Sequence, residues 1–195
     1  MNPLKDIPRH VIEPGAEVLN GVFLARAGIV VDIDENPGPY EVVLADIDVR
    51  LSRPDDWVDQ EVTLLDTLWA VNESANKFAP FNRIGYAEVL KEEATRRGID
   101  RVSPEHHIGL STFIAEQTGY FTRPIGGICH EHSLLSAAMI RLLQLRGDID
   151  DGDVDVRRRT NHPDEHTVVE LTLDGEWYQI DWPTGVIAPR RRLQL

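Results

Sequence analysis

Three residues in chain order have the side chains for nucleophilic attack on a carbonyl: Cys129, His166 and Asp181. A thiol attacks as the thiolate, an imidazole takes up its proton, and a carboxylate fixes the tautomer of that ring and steadies its positive charge. Cys129 stands 37 residues before His166, and His166 stands 15 before Asp181. Cys129 is the single cysteine of the chain. No intramolecular disulfide can form, which fits a reducing compartment.

For these groups to cooperate, the elements around them must bring them together. The stretch Pro124 to Gly147 runs through Gly126-Gly127-Ile128-Cys129-His130-Glu131-His132 into Leu134, Leu135, Ala137, Ala138, Met139, Ile140, Leu142, Leu143 and Leu145. A helix apolar nearly all round is a buried one. The glycine pair breaks the incoming chain, Glu131 and Ser133 suit a first turn, and Arg146 then Gly147 suit a last one. Cys129 is therefore expected at the N-terminus of the most buried helix, where free backbone N–H groups and the helix dipole favour an anion. Alternatively, Cys129 is a small buried hydrophobe at a tight turn.

Downstream, Val154 to Thr160, Glu165 to Leu173 and Glu176 to Trp182 read as strands, with Asp174-Gly175 a strong two-residue hairpin signal between the last two. A two-residue turn sets Leu173 opposite Glu176 and Val168 opposite Asp181. Thr167, Val169, Leu171, Leu173, Tyr178, Ile180 and Trp182 then form a core face. His166, Val168, Glu170, Gln179 and Asp181 share the more polar one, with His166 one diagonal step from Asp181.

In these residues the chain resembles the transglutaminase-like superfamily of papain-type cysteine enzymes. Its members carry a Gly-x-Cys turn opening a long buried helix, then His on one strand and Asp on the next. Here the matching residues are Gly127-Ile128-Cys129, His166 and Asp181, and the resemblance covers roughly residues 104 to 185. It implies an α+β fold with Cys129 as nucleophile, His166 as general base and acid, and Asp181 as the orienting carboxylate. The activity implied is amide or thioester chemistry through an acyl-enzyme, as in a protease, amidase or acyltransferase. The substrate would be a peptide, a protein or a small acyl or amide compound, and no cofactor is called for.

Gly126-Gly127-Ile128-Cys129-His130-Glu131 is also similar to the Gly-Gly-x-Cys-x-Glu signature of arylamine N-acetyltransferases. Ile125 stands where that family has arginine, however, and only 14 residues follow Asp181, too few for its further barrel and lid. The leader peptidases that process lasso peptides look similar in the same region and stay open as a reading. The Cys129 backbone N–H is one oxyanion donor candidate. Gln117 and Tyr120 are candidates for the second, and Trp177 could line the cleft; their bland readings are a solvated helix end, a turn residue and strand packing.

Two other readings compete. The first is a metal site of Cys129, His132, His162 and His166, whose spacing matches no familiar zinc pattern and which leaves Asp181 without a role. The second is a binding or scaffolding module that keeps the fold without an active site. Of His130 and His132, one is expected under the first helical turn and the other in solvent. Trp69, at helical spacing, reads as core.

The remainder of the chain sets the frame. Residues 18 to 31 and 40 to 51, rich in Val, Ile and Leu around Asp34-Glu35-Asn36-Pro37-Gly38-Pro39, read as a β-hairpin. A composition shift near residue 53 makes residues 1–52 an N-terminal appendage to a catalytic domain over 53–195. Helices are expected over 58 to 76, over 84 to 97, and from Ser103 toward Gly119, with His106 and His107 opening the third. In 195 residues, 33 acidic against 20 basic side chains give a net charge of -13, which argues against nucleic acid or an anionic membrane as partner. No apolar run approaches a bilayer span and no signal-peptide core is visible, so the expected location is cytoplasmic.

Overall fold

The computed structural model describes residues 28–52, 62–103, 106–114, 129–159, 166–181 and 185–187. These form an α+β arrangement of helices, a two-stranded parallel pair and a four-stranded antiparallel sheet. Strand β1 (Gly28–Val30) pairs in parallel with β2 (His107–Gly109), in the register Gly28 with His107 and Val30 with Gly109.

Helix α1 (Pro37–Leu51) follows β1, so the second strand of the hairpin expected over 18–31 and 40–51 is replaced by a helix, while residues 18–27 of its first strand lie outside the described residues. Two features of the segment favour the helix. Pro37 and Pro39 sit in the first turn, where proline's missing N–H costs nothing. Tyr40, Val43 and Ile47 recur at helical spacing and all are fully buried, so burial of one helical stripe outweighs the β-propensity of the valines. That stripe joins the same apolar core as the helices and sheet that follow, and the described part of 1–52 is not packed apart from them.

Helix α2 (Leu64–Phe78) begins later than the expected residue 58 because Thr63 caps it. The Thr63 hydroxyl accepts from the Asp66 N–H at 3.2 Å, and the Asp66 carboxylate accepts from the Thr63 N–H at 2.9 Å. Helix α3 (Arg83–Arg97) starts at Asn82, whose Oδ1 accepts from the Gly85 N–H at 3.0 Å, and stops at Gly98 with φ 67°. The helix expected from Ser103 is absent among the described residues. His107 opens β2 instead, and only a 3-10 turn follows (Leu110–Phe113), because Ile108, Leu110 and Phe113 bury themselves around the strand pair.

Helix α4 (Cys129–Arg146) is the central helix, buried from Cys129 through Ile140 without interruption. It packs on α2 and on β3 (Asp153–Arg159) and β4 (His166–Leu173). The sheet continues through β5 (Glu176–Asp181) to β6 (Gly185–Ile187) in the order β3-β4-β5-β6. The Asp174-Gly175 turn forms with φ 49° and 79°, the left-handed pair that a tight hairpin requires. Leu173 pairs with Glu176 and Val169 with Ile180, the register expected from that turn. Val154, Val169, Leu171, Leu173, Tyr178 and Ile180 form the core face against the leucines of α4.

Candidate functional site

Cys129 is the first residue of α4 and His166 the first of β4, while Asp181 is the last residue of β5. A hydrogen bond ties the first two elements together where it matters. The Ser133 hydroxyl donates to the Thr167 backbone oxygen at 3.0 Å, in a buried setting. Ser133 is four residues after Cys129, on the same face of the helix, and Thr167 follows His166 directly. The opening turn of α4 therefore abuts the opening of β4. Nothing in the sequence marks Ser133 as the joint except its spacing of one turn from the cysteine.

Asp181 reaches the same end of the sheet through the hairpin register. Val169 lies opposite Ile180, and one step on the antiparallel ladder brings Val168 opposite Asp181. His166, two positions before Val168 and paired with Arg159, occupies the strand position diagonal to Asp181. The Gln179 side-chain amide donates to Asp181 Oδ2 at 3.4 Å, a long contact. The face expected to be polar is buried at this end, since Val168 and Gln179 are fully enclosed and Asp181 is 8% exposed. Cys129 is equally enclosed, at 8%.

Trp177 is placed less favourably. It pairs with Thr172 beside the turn, four residues from Asp181, a separation of about 13 Å along the strand. Gln117 and Tyr120, the candidates for a second oxyanion donor, lie outside the described residues. So do the Gly126-Gly127 turn, Trp182 and His162.

The residues after Cys129 depart from expectation. His130 and His132 are both buried rather than divided between core and solvent. Burial of His130 is complete, and among the described residues neither ring nitrogen has a hydrogen-bond partner. Desolvation pushes its pKa down to about 4, so the ring is neutral at pH 7. Among the described residues, no cluster of three or more His, Cys, Asp or Glu side chains is arranged to hold a metal ion. The two cavities described lie elsewhere. One of about 600 Å³ runs between Asp48, Leu51 and Arg146 to Asp150, and one of about 380 Å³ lies beside Asp32, Glu93 and Arg97.

Beyond the expected residues, Trp69 comes close to the site. A Cβ added at Gly185 would run into ring atoms of Trp69, and Gly185 is the ladder partner of Asp181. The helical spacing that suggested a core position fails for this residue, which is 45% exposed. A glycine four residues after Asp181, just behind Pro183-Thr184, is the only trace in the sequence of the space this indole needs.

Comparison of the chain with protein-family models, with curated proteins and with solved structures finds no match in any of the three. Among the described residues no helix is long and apolar enough to cross a membrane.

Proposed function

We propose that this chain is a transglutaminase-like cysteine enzyme acting on amides or thioesters. The observation that carries the reading is the Ser133 to Thr167 hydrogen bond, which joins the helix end bearing Cys129 to the strand end bearing His166. The Val169 to Ile180 pairing adds Asp181 on the next strand. In the proposed reaction His166 takes the thiol proton and the Cys129 sulfur bonds to the carbonyl carbon, collapsing to a thioester as the carbon–nitrogen or carbon–sulfur bond breaks. His166 returns the proton to the departing amine or thiol. Water or an amine, deprotonated by His166, then attacks the thioester and regenerates the thiol. Asp181 orients the imidazole throughout. The Cys129 backbone N–H, unpaired within the helix, faces the developing oxyanion.

Alkylation at pH 7 with iodoacetamide tests this directly, since one thiol needs no assignment. The native protein should label faster than a free thiol, and His166→Ala should slow it by on the order of 10-fold or more. Cys129→Ala should keep the melting temperature and lose all turnover of amide and thioester substrates. Labelling confined to the unfolded chain in both proteins would overturn the enzyme reading. That result would favour the second reading, a binding module with a structural cysteine, which draws on the 8% exposure of Cys129.

A further inference from the structure

Trp69 is an indole left half open at the edge of the candidate site, and the packing beneath it is specific. The ring lies on the backbone of β6 at Gly185, where any Cβ would collide with it. Gly185 also has φ +84°, so glycine is required there both for the backbone and for the ring. Across the sheet, Gly185 pairs with Asp181, and Asp181 stands opposite Val168, next to the Thr167 carbonyl that receives Ser133. Adjacent strands are separated by about 4.8 Å, so the seat of the indole is roughly 10 Å from the strand where the cysteine helix is anchored. That is the reach of one substrate side chain. Leu65, one turn before Trp69 on α2, is also partly exposed on the same helical face. Tryptophan is ordinarily among the more buried residues on average, and one seated against a backbone yet 45% exposed is suited to stack against a planar group.

We infer that Trp69 is a specificity-determining wall of the substrate site, selecting acyl or amide substrates that carry an aromatic group beside the reacting carbonyl. The inference rests on the thiol-enzyme reading above. Its test uses two reagents that each form a thioether at Cys129 Sγ and release iodide, iodoacetamide and N-benzyl-iodoacetamide. They are compared on the full chain, on Trp69→Phe and on Trp69→Leu, the last keeping apolar bulk without a ring.

The native protein should prefer the benzyl reagent. Trp69→Leu should lower the ratio of benzyl to plain rate constants by roughly 3- to 10-fold, and Trp69→Phe should restore most of it. The plain iodoacetamide rate should fall far less than the benzyl rate, a split that mere loosening of α2 would not produce. A reactive thiol whose ratio is the same in all three proteins overturns this inference alone. A thiol inert to both reagents in the native protein overturns the enzyme reading and this inference with it.

Discussion

His130 is a neutral imidazole enclosed on all sides, directly after the proposed nucleophile. Its folded pKa, about 4, lies below the ordinary value near 6.5. Between those values the unfolded chain binds a proton that the folded chain refuses, so stability rises with pH across that window and is lost as pH falls through it. The loss amounts to about 3 kcal/mol at most. Glu93 loses stability in the same direction as pH falls, but lower on the scale. The hydrogen bond from Arg96, helped by Arg97, holds its carboxyl at about 2, so its contribution fades only as pH falls below about 4.5. The two effects are therefore separable. Urea unfolding of the native chain should lose on the order of 2 kcal/mol between pH 6.5 and pH 5, and His130→Leu should lose much less over that interval. Equal losses in both proteins would assign the titration to another group.

At the scale of elements, the sequence was most readable where a strong local pattern and the tertiary demand agreed. The apolar run after Cys129 and the Asp174-Gly175 turn each admit one structure, and helix α4 and the β4–β5 register appear where those signals place them. Residues 40 to 51 carry two conflicting signals, valines that favour a strand and a 40-43-47 spacing that favours a helix, and the core decides between them. Pairing of β1 with β2 joins segments almost 80 residues apart, a contact no local pattern encodes. Of the candidate site, the order of Cys129, His166 and Asp181 is read from the chain itself, whereas the placements of Ser133 and Trp69 depend on partners distant in sequence. The hairpin turn itself is testable. Gly175 holds φ 79°, which costs an L-residue about 1–2 kcal/mol, so Gly175→Ala should lower unfolding stability by that amount. Because Asp181 depends on the same register, the variant should also slow alkylation of Cys129 if the turn shifts the strands. Stability unchanged within about 0.5 kcal/mol would mean that the turn does not set the pairing.

At the scale of the whole molecule, a buried carboxylate joins the early chain to the segment after β2. Asp32, just after β1, accepts from the Tyr40 hydroxyl at 2.7 Å, from the Ser111 N–H at 3.0 Å, from the Ser111 hydroxyl at 2.5 Å and from the Asn36 side-chain amide at 2.8 Å. Gly109 lies so close that a Cβ there would strike the carboxylate. Burial, with the charge of Asp32 beside it, pushes the Tyr40 phenol well above its ordinary pKa, so it remains a donor at any ordinary pH. These bonds link α1, the loop before it and the 3-10 turn after β2, which is how the early chain becomes part of the common core. Contrast Arg146, whose pairs with Asp48 and Asp148 are open to solvent on both sides and contribute about 1 kcal/mol or less. Tyr40→Phe should cost about 1–3 kcal/mol, because it leaves a buried carboxylate short of one donor while keeping the ring. Ser111→Ala should cost a similar amount, and because both residues serve one carboxylate, the double variant should deviate from additivity by about 0.5 kcal/mol or more. Urea unfolding of the four proteins measures the cycle. Additive losses would mean that Asp32 holds its neighbours independently, and the early segment would then owe its place in the fold to the apolar stripe of Tyr40, Val43 and Ile47 rather than to this junction.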